Sequence, residues 1–262
     1  MICEKNYVKL ILMKRHFWKS SLSDKSCPAW NCIACAPGIL RLQSDLFKYE
    51  ETRESKQSRG DEAFDASWIE YSFTAWAKCD NEKCGQQYAI SGSGGVEPRY
   101  TAEDDWDYFD CFEPTSIHPT LPIINVPKKS PTDVKDALSE AFKLYWASTE
   151  ACAGRIRVAV EHLLTHVGVP REKTDESGKQ IKYNLHTRIE SYAKTEPKLG
   201  AQLMAIKWIG NTASHRGGIS KTDLLDTFEV LEYVLSEIIM GNSKRIEELA
   251  RKLAEKHSQQ GS

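Results

Sequence analysis

From residue 32 to about 100 the chain runs in short stretches where apolar and polar residues alternate, the period of a half-buried β-strand. Ile69-Glu70-Tyr71-Ser72-Phe73-Thr74-Ala75-Trp76 is the clearest of them. A hydrophilic insert over 50–65 predicts a mobile loop, and Ser91-Gly92-Ser93-Gly94-Gly95 predicts a hairpin turn; no Gly-Lys-Ser/Thr follows it, as a phosphate loop would need. Pro114, Pro119, Pro122, Pro127 and Pro131 then recur at a spacing that forbids helix and predicts an interdomain linker. At Ser130-Pro131-Thr132-Asp133 a serine N-cap and a first-turn proline open a helix, and the apolar period lengthens to three and four. Helices are predicted from there to about 167, over 184–195, from 197 to 217, over 222–240 and in a charged tail at 243–256, with a polar loop at 173–182. Gly154 predicts a bend or a close helix approach. Leu224, Phe228, Leu231, Leu235 and Ile238 form one buried stripe. The fold class is therefore α+β: a basic extension at 1–26, a small β domain at 27–113, a Pro-rich linker at 114–130, an up-and-down helical bundle at 131–241 and a charged tail at 242–262.

Two cysteine pairs fall at turns of the β domain, Cys32-Ile33-Ala34-Cys35 and Cys79-Asp80-Asn81-Glu82-Lys83-Cys84. Each is followed by a glycine and a strand-like run, the pattern of a zinc-ribbon knuckle. Cysteines this close let two sulfurs of one turn reach an ion at about 2.3 Å, and two such turns complete a tetrahedron. One structural zinc on Cys32, Cys35, Cys79 and Cys84 is expected. The pattern departs from the usual Cys-Pro-x-Cys-Gly, since Ile33 follows Cys32 and the second knuckle is longer. Cys27-Pro28-Ala29-Trp30-Asn31-Cys32 also has knuckle-like spacing, so Cys27 is an alternative to Cys35; Gly38 and the run Ile39-Leu40-Arg41-Leu42 favour Cys35, with Trp30 as an aromatic cover for the metal. Cys3, Cys111 and Cys152 stand alone and are expected only to pack.

Charge narrows the functional classes. A net charge of -2 gives no global attraction to nucleic acid, so any such binding must be local. Lys5, Lys9, Lys14, Arg15, Lys19 and Lys25 make the first 26 residues basic, a face for phosphate or for solvent. The apolar run Leu10-Ile11-Leu12-Met13 is too short for a membrane span or a signal peptide, and thiols poised for zinc suit a reducing compartment. A cytoplasmic protein is expected.

The helix from 197 carries the sharpest polar pattern, with Lys207, Asn211 and His215 four residues apart on one face. An ammonium, an amide and an imidazole stacked this way can hold a phosphodiester and move a proton; Asn211 and His215 can equally bond to backbone and cap the helix. Because an ammonium is rarely buried unpaired, this face is expected to reach water. Glu161-His162-Leu163-Leu164-Thr165-His166 spaces two histidines as zinc proteases do, but its glutamate stands before the first histidine and no third ligand is evident.

Ala151 to Leu164, Leu185-His186-Thr187-Arg188-Ile189, and Ala205-Ile206-Lys207-Trp208-Ile209-Gly210-Asn211 through Ser214-His215 together resemble domain-of-unknown-function family 4145. Pro28-Ala29-Trp30-Asn31-Cys32 and the two knuckles look like the zinc ribbon that often precedes that domain. The family is similar to HEPN helical domains of prokaryotic defence and toxin systems. The resemblance implies a homodimer that binds RNA or a protein partner, and in active relatives a metal-independent ribonuclease using Arg-Asn-x-x-x-His. In that motif His215 and Asn211 are the candidate catalytic pair, but Gly210 stands where the arginine belongs. Lys207, Arg216 and Arg155 are the candidates to supply charge to a nucleic acid. A binding module with weak or no catalysis, an endoribonuclease, and a structural or regulatory subunit are the three readings this leaves.

Overall fold

The computed structural model describes residues 13–35, 37–101, 106–212 and 218–258. It divides into two compact units: Lys14–Ile123 with Phe142–Cys152, and a second built from Ile124–Ala141 and the chain from Ala153 onward.

The first unit is built on a five-stranded antiparallel sheet, with β1 at Leu40–Leu42, β2 at Lys48–Glu51, β3 at Glu70–Cys79, β4 at Gln87–Tyr100 and β5 at Trp106–His118. The order is β1-β3-β4-β5, and β2 joins β1 along the same edge of β3. Burial alternates strictly along β3: Phe73, Ala75, Ala77 and Cys79 point inward, while Ser72, Thr74, Trp76 and Lys78 point outward. Phe112 of β5 is fully buried, with its ring centroid 4.8 Å from Phe47 and 5.3 Å from Phe73.

That aromatic cluster explains the glycine run. Ser91 to Gly95 lies inside β4, where a hairpin turn is expected from the sequence. A Cβ on Gly94 would stand 2.5 Å from Phe112 Cδ1, and one on Gly92 would stand 2.7 Å from Phe73 Cε1. Gly94 makes room for the Phe112 ring, and Gly92 for the Phe73 ring and, more closely, for the Glu113 carbonyl of β5. Beside them the register slips between Ser91 and Gly92, and β5 continues through Pro114 to His118 although the prolines suggest a linker from 114. A proline missing its N–H is tolerated at such an irregularity.

The hydrophilic insert is ordered too. After the four-residue helix α1 (His16–Lys19), the next helix is the short α2 (Arg53–Ser58), which Thr52 caps, and Glu51 accepts two bonds from Arg59, Nε at 2.8 Å and Nη2 at 2.9 Å. Ser55 is buried; its hydroxyl donates to Glu51 at 2.7 Å and accepts from the Glu70 N–H at 3.1 Å. Residues Phe142–Cys152 belong with this sheet because of their rings: Tyr145 donates to the Trp18 carbonyl at 2.9 Å, and Trp146 lies 5.7 Å from Trp30.

The second unit is helical. α3 (Thr132–Ala147) and α4 (Thr149–His166) replace the single long helix expected there, and the break falls at Ser148, whose Oγ accepts from the Ala151 N–H at 3.2 Å. Gly154 has nothing within 4 Å of its Cβ position, so no close helix approach requires it, and α4 runs through it unbroken. The close approach is at Gly200, where a Cβ would sit 2.7 Å from Ala193 Cα. The expected polar loop forms a two-stranded ribbon, β6 (Glu172–Thr174) and β7 (Gln180–Lys182). α5 (Leu185–Ala193) packs on α6 (Pro197–Thr212), and α6 on α7 (Lys221–Met240). The stripe Leu224, Phe228, Leu231 and Leu235 is buried, with Ser220 and Asp223 forming a capping box at the start of α7 and Gly241 (φ 60°) ending it. α8 (Asn242–Ser258) follows. Among the described residues no helix is long and apolar enough to cross a membrane.

Arg188 of α5 is buried and bonds the end of α4. It donates to the carbonyls of Glu161 (3.1 Å), Val169 (3.1 Å) and Pro170 (3.2 Å) and to Thr165 Oγ1 (2.8 Å). A cation on the carbonyls that end a helix satisfies groups the helix itself leaves open.

Candidate metal centre

Cys32 and Cys35 lie in the turn before β1, and Cys79 and Cys84 flank the turn from β3 to β4. The alternation of β3 aims Cys79 inward, and β1 pairs Leu40 with it. Cys32 N–H closes the first turn on Gly38 O at 2.8 Å, and the two turns are tied together by Asp80, whose N–H donates to Ile39 O at 2.9 Å and whose Oδ1 accepts from Ile39 N–H at 2.8 Å. Asn81 shapes the second turn by accepting from Cys84 and Gly85 N–H, and Gly85 takes a φ of 58°.

The result brings four sulfurs together. All lie within 4.8 Å of one another, with Cys32 to Cys84 at 3.7 Å and Cys35 to Cys79 at 3.6 Å. Four sulfurs at about 2.3 Å from a central ion stand about 3.8 Å apart, so the spacing fits a tetrahedral thiolate site, whereas a disulfide would need about 2.05 Å. Gly38 is required here, since a Cβ would come within 2.9 Å of Cys35 Sγ. Among the described residues this is the one cluster of its kind, and it could hold a metal ion.

Cys27 is not in it. Its thiol points to the Leu40 carbonyl at 3.7 Å, and burial pushes it up to about 11. Of the two pairings the sequence allows, the geometry selects Cys35. Trp30, the aromatic residue expected to cover the metal, packs against Trp18 and Trp146, and its ring N–H donates to Phe17 O at 2.8 Å. The residue beside the sulfurs is Tyr88, fully buried on β4, whose hydroxyl donates to Cys32 Sγ at 3.3 Å and accepts from Ile33 N–H at 3.0 Å. Burial works to raise the Cys32 thiol, but the Tyr88 hydroxyl and the Ala34 and Cys35 amides outweigh it and bring it down to about 6. Cys79 is pushed up to about 12, chiefly by burial. Tyr88 had no signal in the sequence beyond its place in an alternating strand. Cys152 is buried and Cys111 half-buried, and Cys3 lies outside the described residues.

On α6 the expected polar face is only partly described. Asn211 lies in the last turn of the helix, and His215 and Arg216 fall outside the described residues. Lys207 does not reach water as expected: it is 8% exposed, and its ammonium sits 3.9 Å from the Trp208 ring centroid. An aromatic face stands in for solvent around the cation. Trp208 itself is 56% exposed, with the His186 ring 6.3 Å away. Arg155 is exposed on α4. His162 of the paired-histidine motif lies 3.8 Å from Asp133 and 3.4 Å from Arg171, in no metal-sized cluster.

Residues 139–258 match the family model for DUF4145, a domain of unknown function. The helical unit thus carries a DUF4145 domain. Residues 20–117 match a second family model, DUF8608, also a domain of unknown function, where the resemblance implies a zinc ribbon. No curated protein and no solved structure matches the chain.

Proposed function

We propose that this chain is a nucleic-acid-binding module in which a structural zinc ion on Cys32, Cys35, Cys79 and Cys84 holds a ribbon-like turn pair in the β unit. The DUF4145 domain is HEPN-like, forms a homodimer and recognises RNA in a prokaryotic defence-type setting, as its resemblance implies, with weak or no catalysis. The sulfur spacing supports the zinc. The observation that carries the binding reading is Trp208: a largely exposed indole with the Lys207 ammonium 3.9 Å from its centroid, one turn before Asn211 on α6. A solvent-facing ring is what a single-stranded base stacks on, while the Lys207 ammonium, buried against that ring, holds the indole in place. Gly210 in place of the motif arginine leaves no guanidinium at that position to neutralise a pentavalent phosphate, which supports binding over cleavage.

The test is to incubate the purified chain with total RNA beside Trp208→Ala and His215→Ala, recording RNA retained and new 3' ends. Retention reduced in Trp208→Ala, with no new ends, is expected. New ends that vanish in His215→Ala would replace this reading with an endoribonuclease. No retained RNA at all would leave a protein-binding or structural subunit.

A further inference from the structure

The outward face of the β-sheet carries an arrangement that the metal site and the helical region do not use. Pairing register and alternation place Trp76 in its middle. Along β3 its outward neighbours are Thr74 and Lys78; across β4 it pairs with Ala89, which pairs in turn with His118 of β5. On the other edge Lys48 pairs with Thr74, and Arg41 pairs with Lys78. The next row is small and hydroxylic, with Thr74, Ser91 and Ser116 side by side. Trp76 is 41% exposed, and Lys48, Lys78, Thr74, Ser116 and His118 are all exposed.

Three properties of this face act together. A β-sheet face alternating apolar-in and polar-out has no folding reason to put its largest ring outside, since burying an indole is strongly favourable. The small residues Ala89, across β4, and Thr74, on one side along β3, flank the ring and leave its face open to a planar group. Lys48 and Lys78 stand to either side of Trp76, and neither makes an ion pair among the described residues; Arg41 leans on Asp80 at 3.4 Å. Of the other carboxylates near this face, Asp80 is taken up by Arg41 and by the Ile39 N–H, and Glu50 and Glu113 lie one row beyond that of Thr74.

We infer that this face binds single-stranded nucleic acid, a base stacking on Trp76 and the flanking phosphates meeting Lys48 and Lys78. The strand must be single, because a duplex hides the base faces that a ring stacks on. The lysines decide against a neutral glycan, which would use the ring and the hydroxyls but gain nothing from two ammonium groups. The cysteine cluster adjoins this face through Cys79, the residue after Lys78, so its turns fix the end of β3 that presents the ring. Every residue involved belongs to the β unit, so the inference stands apart from the reading of Trp208.

The experiment measures fluorescence anisotropy of the full chain with a short labelled oligouridylate, the same strand annealed to oligoadenylate, and a labelled neutral chitin oligosaccharide. Variants are Trp76→Ala, Trp76→Tyr, Lys48→Glu/Lys78→Glu and Trp208→Ala. Trp76→Ala is expected to weaken oligouridylate binding about tenfold or more. Trp76→Tyr should recover most of that, and the double charge reversal should flatten the salt dependence. The Trp76 effect should persist in a Trp208→Ala background. Oligouridylate binding unchanged in Trp76→Ala would overturn the inference, as would equal, Trp76-independent binding of the duplex. Trp76-dependent capture of the oligosaccharide without the oligouridylate would assign the face to glycans instead. If Trp208→Ala alone abolishes binding, the inference fails while the reading of the helical region stands; if only the Trp76 and lysine variants matter, the reverse holds.

Discussion

The β unit and the helical unit assemble their candidate chemistry in opposite ways. In the β unit four cysteines from two turns, separated by more than forty residues of chain, meet because β1 and β3 pair in one register, as the Cys35 to Cys79 contact at 3.6 Å shows. In the helical unit Lys207, Trp208 and Asn211 share one stretch of α6, and helical period alone places them. A site made by long-range pairing depends on the whole sheet. A site written into one helix depends on little beyond that helix, so damage to the two should read out differently.

Metal removal should show the largest difference. Chelation of the full chain is expected to abolish the near-ultraviolet signal of the Trp18, Trp30 and Trp146 cluster while most far-ultraviolet helical signal survives, because a turn pair of this size has little core without its ion. Simultaneous loss of both signals, or of neither, would break the comparison. Next comes Phe112→Ala, expected to cost about 3–5 kcal/mol in denaturant unfolding because its fully buried ring joins β5 to Tyr49 of β2 and Phe73 of β3. Trp208→Ala, at an exposed position, should lie within about 0.5 kcal/mol of the parent by the same measurement.

In the helical unit Arg188→Ala is expected to destabilise by about 1–3 kcal/mol through the carbonyls it leaves unpaired, and Arg188→Lys should not restore stability, since an ammonium cannot span the same acceptors. Calorimetric melting of both variants checks this. Tyr88→Phe is a finer probe of the β unit: loss of the hydroxyl on Cys32 should lower metal affinity about tenfold, measured by chelator competition, with the fold retained. The smallest effect concerns Cys27. With its thiol pushed up to about 11, it is almost wholly protonated at pH 8 and should resist iodoacetamide until the pH approaches that value, whereas unfolding, which returns it toward 9.0, should speed labelling.

How legible each feature was follows from the same contrast. The cysteine pairs were readable because each is local: two sulfurs in one turn, then a glycine and a strand. Gly38 and the run after it follow Cys35 at the distance a knuckle needs, and in the fold a Cβ at Gly38 would meet the sulfurs of both Cys79 and Cys35. Tyr88 was invisible because its partner is 56 positions away. Gly92 and Gly94 read as a turn because what excludes their side chains, the Glu113 carbonyl and the Phe73 and Phe112 rings, lies on other strands. The break at Ser148 was written locally, as a serine whose hydroxyl accepts from the amide three residues on, but the apolar pattern running through it suggested one helix. Lys207 was put on the expected face of α6, yet the next residue's ring, and not water, surrounds its ammonium.

The central claim is that the sheet exists to bring four thiolates to one ion. X-ray absorption at the zinc edge of the chain purified without added metal tests it directly. The account predicts one zinc per chain with four sulfur neighbours at about 2.3 Å, unchanged in Cys27→Ser. Absence of zinc, or a first shell containing nitrogen or oxygen, would contradict it.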